Sequence, residues 1–325
     1  MAKDRDFSID VLKCLAALLI TWSHLENQMG HYSALASGGS FGDCLFFFCS
    51  GYTLFLSQKK VNFMNWYKNR INRIYPTVFV WAGVTYMLLG VDWNLGQILK
   101  GAAFFVTCIM LFYIPFYQLC KLKQSQLFAV GVAVYLAEWG GYFLIDRTDV
   151  GTMYNWTWSM YFLPMLMGAM MGKAKKEGSN YCMMNLSSLW SFVLLVVTAV
   201  AYYVLMYFTS LGSAFEDLRP LIILPQLGVV FGFYRLCSSK IAERMYGKRW
   251  SHAFIMFVGG ICLEIYLVQP KLLVTFPMTE IFPLNILVIY VMIIACAYVL
   301  KVLSRIWAQT FNDDNYNWKE IIKLY

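Results

Sequence analysis

Charge is scarce in this 325-residue chain. Asp, Glu, Lys and Arg together make up 14% of it, while 60% is hydrophobic. A soluble domain carries about a quarter charged residues, so a water-facing surface could not be covered here and an apolar solvent is required. The nine cysteines include no C-x-x-C pair. Cys14, Cys49, Cys108, Cys262 and Cys296 fall inside apolar stretches, which reads as small hydrophobes rather than a disulfide framework or metal site; no metal is expected. There is no internal repeat, no low-complexity tract and no stretch left over for a soluble domain. The net charge of +8 does not come from a basic domain able to hold a duplex. The bases sit in short loops between apolar segments, so no nucleic-acid partner is expected.

What is present is a series of apolar runs of spanning length. A bilayer core of ~30 Å needs ~20 mostly apolar helical residues. Candidate spans fall at 8–27, 41–57, 76–92, 98–118, 126–145, 156–172, 189–209, 217–237, 252–272 and 284–304. The expected fold is therefore all-α: a polytopic membrane protein of about ten transmembrane helices, forming one domain over 1–325. Phe63–Tyr75 (FMNWYKNRINRIY) adds a short amphipathic interfacial helix, with Pro76 opening the third span. The first apolar helix follows Met1–Asp6 without a clear small-residue cleavage site and is expected to be a retained signal-anchor. With the N-terminus inside, Lys100, Arg147, Arg219 and Lys271 fall outside and Lys13 lies within span one. Every other base of the 26 lands on the inner side. That asymmetry predicts a multi-pass protein of the cell membrane with both termini cytoplasmic.

Polar groups inside such spans must face protein or water. Lys13 and His24 are eleven helical steps apart, about 1100° of rotation, or three turns plus ~20°, with a rise of ~16 Å. They share one face at different depths, with Asp10, Thr21, Asn27 and Gln28 near the same stripe. Two readings stand: a catalytic stripe, or a snorkelling lysine and a helix-capping histidine. Asp43, at the outer end of span two, either orients the imidazole of His24 or simply starts a helix. Ser50 and Gly51 permit close helix approach. Arg70 and Arg73 lie on one helix face and suit either a phosphate-bearing ligand or anionic lipid head groups. Glu138 and Glu264 sit deep in spans five and nine, implying an interior cavity or structural hydrogen bonds. Tyr154, Asn155, Trp156 and Trp158 form either an interfacial aromatic belt or a platform for a sugar ring.

Four segments in order resemble acyltransferase family 3, the integral membrane acyltransferases. FSIDVLKCLAALLITWSH (Phe7–His24) is similar to the family's Arg/Lys-x10-His signature. LFFFCSGYTL (Leu45–Leu54) resembles its FF-x-x-SGY pattern, NRINRIYP (Asn69–Pro76) its R-x-x-R segment, and GGICLEIYLVQ (Gly259–Gln269) its late SxEIYLxH stretch. Three positions depart from the pattern: Gln269 stands where many relatives have His, Cys262 where Ser is common, and Lys13 for the commoner Arg. The chain resembles the stand-alone ten-helix type. The resemblance implies transfer of an acyl group, usually acetyl, from cytoplasmic acyl-coenzyme A to a hydroxyl of an extracytoplasmic or lipid-linked carbohydrate. The implied partners are acetyl-CoA, a carbohydrate acceptor and membrane lipids. The resemblance implies catalysis by His24 with Lys13 and donor binding by Arg70 and Arg73; the residue readings above add Asp43 as a candidate catalytic partner and Glu138, Trp156, Trp158 and Glu264 as candidate acceptor contacts. A transporter or flippase is the alternative that the buried carboxylates also suit.

Overall fold

The computed structural model describes residues 6–56, 62–101, 104–144, 153–179, 187–211, 213–276, 280–311 and 315–324, without the side chains of 153–159 and 213–214. These residues are all-helical, with no strand among them. The helices are α1 (Phe7–Ser23), α2 (Gly39–Leu56), α3 (Phe63–Leu89), α4 (Leu95–Leu99), α5 (Phe104–Leu119), α6 (Gln124–Leu144) and α7 (Met153–Glu177). They continue as α8 (Ser188–Ser210), α9 (Ile223–Cys237), α10 (Lys240–Tyr246), α11 (Arg249–Gly260), α12 (Cys262–Thr275), α13 (Leu284–Thr310) and α14 (Trp318–Ile321). Among the described residues, five helical runs are long and apolar enough to cross a membrane: Gly30–Leu56, Gln124–Leu144, Ser188–Ser210, Phe215–Cys237 and Leu284–Thr310. The bent pair α11–α12 makes a sixth. α6 and α8 bury little of their apolar surface in the protein, as helices bordering lipid do.

Two of the expected boundaries are corrected. Phe63–Tyr75 is not a separate interfacial helix, because α3 runs unbroken for 27 residues through Pro76. It is fixed at both ends: the Asn62 side chain accepts from the Asn65 N–H, and Gly90 closes it in the left-handed conformation at φ 62°. A membrane environment tolerates the proline because neighbouring groups can satisfy the carbonyl it frees. Conversely, 252–272 is not one straight span. The chain bends by 69° between α11 and α12, at Ile261 (φ −113°, ψ 18°), directly after Gly259 and Gly260, which hold a helix weakly.

The chain divides into two compact units. The first contains residues up to Leu12, then Asp43–Lys59 and Pro115–Lys248. In it α2 and α7 touch backbone to backbone. A Cβ added at Gly51 would overlap the Met165 carbonyl, and one at Gly168 or Gly172 would overlap the carbonyl of Phe48 or Tyr52. Gly168 and Gly172 are four apart, the small-xxx-small spacing that brings membrane helices together. α9 joins this pair through Tyr234, whose ring lies 5.2 Å from Phe48 and 5.9 Å from Tyr52. Asp43 of α2 bonds Tyr161 of α7, and Gln226 of α9 bonds Cys44. Low-numbered residues thus meet at one end and high-numbered residues at the other, so the three helices run in the same direction.

The second unit contains Lys13–Gly42, Lys60–Ile114 and Arg249–Tyr325. α13 packs on both α12 and α3, and its Tyr290 hydroxyl donates to the Leu18 carbonyl of α1 at 2.9 Å. After α1 the chain tightens into two 3-10 turns, Glu26–Gln28 and Gly30–Leu35. The Trp22 indole N–H caps the second by donating to the Leu35 carbonyl at 2.7 Å.

Candidate active site

The second unit contains Lys13, His24, Arg70, Arg73 and Glu264 of the residues singled out by sequence. Its centre is the break at Ile261, which exposes a fresh helix N-terminus in the middle of an apolar run. The first-turn N–H groups of α12 have no intrahelical partners and carry partial positive charge. Cys262 and Glu264 stand in that turn. Glu264 has no exposed surface. Its Oε1 accepts from the Thr77 hydroxyl of α3 at 3.1 Å and from the Lys301 ammonium of α13 at 3.0 Å. Its Oε2 is buried without a partner among the described residues. Lys13, Arg73 and Lys301 all lie within electrostatic reach of the Cys262 thiol, as does Glu264. Lys301 thus offsets the Glu264 carboxylate directly, while Lys13 and Arg73 add positive charge on the side of Cys262.

Arg70 and Arg73 sit one turn apart on α3 and differ in setting. The Arg70 guanidinium lies over Trp66 at 5.1 Å and Tyr113 at 5.8 Å. Cation–π contact holds such a plane by its faces and fixes its orientation. Arg73 is exposed.

The α-helical part of α1 ends at Ser23. His24 occupies the turn that follows, its backbone N–H bonded to the Thr21 carbonyl at 3.1 Å. The residue is exposed, and among the described residues its imidazole has no hydrogen-bond partner. One turn earlier, the buried Thr21 hydroxyl lies 2.9 Å from both the Ala17 carbonyl and Gln269 Oε1 of α12. Gln269 is fully buried with its Nε2 unpaired among the described residues. The position that departs from the family pattern thus faces the helix that leads into His24.

Asp43 and Glu138 belong to the first unit. Asp43 Oδ2 accepts from the Tyr161 hydroxyl at 3.0 Å, and Glu138 is half-buried on α6. Trp156 and Trp158 lie in the first turns of α7, but their side chains fall outside the described residues. Sequence reasoning missed Lys301, which reads as a base on an inner loop. Its place within the apolar run AYVLKVLSR was the available signal. It also missed Thr77, Tyr161 and Gln226, polar side chains that no motif marks.

These features define a helical membrane protein with basic side chains gathered near a broken helix. Residues 6–303 match the acyltransferase domain family, and the chain is a member of acyltransferase family 3. Neither the search of curated proteins nor that of solved structures found a match.

Proposed function

We propose that this membrane acyltransferase moves an acetyl group from cytoplasmic acetyl-CoA to a hydroxyl of an extracytoplasmic or lipid-linked carbohydrate. In this reading the chain crosses the cell membrane ten times with both termini in the cytoplasm. The observation that carries the reading is the presence of Lys13, Arg73 and Lys301 within electrostatic reach of Cys262 at the start of α12, positive charge that suits an anionic donor. The phosphates of coenzyme A are such an anion, and the stacked Arg70 offers a preoriented fork for one of them. Family membership favours transfer chemistry over a carrier or flippase.

His24 takes the proton of the acceptor hydroxyl, and the oxygen attacks the thioester carbonyl. The tetrahedral intermediate collapses, the carbon–sulfur bond breaks, and the coenzyme A thiolate leaves with the proton returned from the imidazolium. A neutral imidazole can accept the hydroxyl proton and, once protonated, return it. Purified protein in liposomes, supplied with acetyl-labelled coenzyme A inside and glycans outside, should place label on the glycan. Label that stays on coenzyme A or free acetate with every carbohydrate offered would overturn the reading.

A further inference from the structure

Beyond α13 the segment 315–324 folds back along the helix it follows, all within the second unit. Its contacts fix its direction. The Tyr316 hydroxyl lies 2.9 Å from that of Thr310, and the Asn317 N–H donates to Gln309 Oε1 at 2.8 Å. Arg305 Nη1 donates to the Ile321 carbonyl at 3.1 Å and also to that of Lys323. The Tyr298 hydroxyl donates to the Ile322 carbonyl at 2.7 Å. Residue numbers in this strap rise as those of α13 fall, so the two run antiparallel. Ile321, with no exposed surface, pins the strap to its support. Asn317 starts the short α14 by accepting from the Glu320 N–H at 3.3 Å.

Two features of the strap do not suit water. Its outer face is apolar: Trp318, Ile322 and Leu324 are each more than half exposed. Its last carbonyls, those of Ile321, Ile322 and Lys323, are all taken by side chains of α13. Water would satisfy them on a solvated tail; at the edge of a bilayer the protein must supply the donors. The length of α13 puts the strap at that edge. Its 27 residues extend ~40 Å at ~1.5 Å per residue, against a hydrocarbon core of ~30 Å. Its apolar run ends at Leu300, ahead of Lys301 and Arg305, so the excess lies at the C-terminal end, where the strap returns. Lys319 and Lys323 are set against Glu320, 3.6 Å from Lys323, and Asp313 and Asp314 precede them. The segment therefore has no positive charge to select an anionic surface. We infer that residues 315–324 are an interfacial anchor, whose Trp318, Ile322 and Leu324 lie against phospholipid where head groups meet acyl chains, whatever the head-group charge. A tryptophan suits that layer, with an apolar ring for the chains and an N–H for the wet side. Which leaflet the anchor occupies rests on the topology proposed above; the lipid contact does not.

The test replaces Trp318, and in a separate protein Ile322, by the photoreactive residue benzoylphenylalanine. Both positions face outward, so the fold does not depend on the native side chain. The full-length protein is placed in nanodiscs of phosphatidylcholine alone and of phosphatidylcholine mixed with phosphatidylglycerol. After irradiation, adducts are read by mass spectrometry. Lipid adducts should form at both positions in both discs. In the mixed disc the two lipids should be captured within about twofold of their bulk ratio, whereas selection by a single lysine near the surface would give about fivefold. Absence of lipid adducts at both positions would overturn the anchor. Capture of phosphatidylglycerol about fivefold or more above its share would overturn its indifference to charge. Adducts to a second copy of the protein in place of lipid would also overturn it, and would mark the face as a contact between chains.

Discussion

Lys301 reaches from α13 to within 3.0 Å of a carboxylate, Glu264, that has no exposed surface, while its own side chain is 26% exposed. The pair ties α13 to α12 just past the helix break, and Thr77 adds α3 to the same oxygen. Removing only the cation strands a charge in the interior. Lys301→Met should therefore cost about 3 kcal/mol, the lower end for a broken buried pair because the ammonium is partly solvated. Glu264→Gln should cost less, and the double variant should recover much of the loss. Thermal unfolding in detergent gives the cycle. A Lys301→Met protein no less stable than Glu264→Gln would show that the pair does not hold the break together.

The arginines should separate by geometry. Arg70 is stacked on Trp66 and Tyr113, so Arg70→Lys loses both the fork and the ring contacts. Arg73→Lys keeps a charge at an exposed position. Arg70→Lys should weaken acetyl-CoA binding several-fold more than Arg73→Lys, consistent with about 1 kcal/mol per stacked contact. Calorimetry with acetyl-CoA and with acetyl-pantetheine, which lacks the nucleotide phosphates, decides the role. Equal losses for both donors would mean that the arginines do not clamp phosphate.

His24→Ala should insert and fold normally yet lose glycan acetylation by roughly 10²-fold or more, the size expected for a general base. His24→Gln should be nearly as inactive. Acetyl-CoA binding should survive in both. Acetylation by His24→Ala within about threefold of wild type, at matched amounts, would remove the imidazole from the chemistry and leave it a helix-end residue.

Asp6 gives a pH dependence with a defined sign. Burial pushes its carboxyl up, but the hydrogen bonds from Lys175, Tyr52 and Ser8, with the Lys175 charge, outweigh burial and hold it below the ordinary 3.8. A depressed carboxyl contributes stability that is full above the unfolded value and is lost as pH falls through the folded one. The unfolding midpoint of the wild type should thus drop on acidification below about pH 4 more steeply than that of Asp6→Asn. Parallel curves for the two proteins across that range would show that these bonds contribute nothing.

The helical class and the succession of apolar runs were legible because a membrane span announces itself in twenty residues of local composition. Gly51 was legible as a packing position for the same reason: a small residue in an apolar helix has few other uses. The one-turn spacing of Arg70 and Arg73 on α3 follows from helical period alone, whereas the end of α1 at Ser23, one residue short of His24, carries no periodic signal. The continuity of α3 was not legible, since Pro76 stops helices in water but not where neighbouring groups receive the freed carbonyl. The break at Ile261 hides in a run whose composition suits a straight span; only Gly259 and Gly260 hint at it. The partners of Glu264 could not be read at all. Thr77 and Lys301 lie 187 and 37 residues away, and nothing local encodes such a meeting.

The shared direction of α2, α7 and α9 has a consequence for chain parity. A chain that leaves α2 at the Tyr52 end and begins α7 at the Tyr161 end must have made an odd number of passages in between. The same holds between α7 and α9, where α8 is, among the described residues, the one long helix available for the return trip. Deleting one passage between α2 and α7 would invert α7 relative to α2 and pull the Gly168 and Gly172 contacts away from their carbonyls. Variation in this protein is therefore constrained to add or remove crossings within those intervals in pairs.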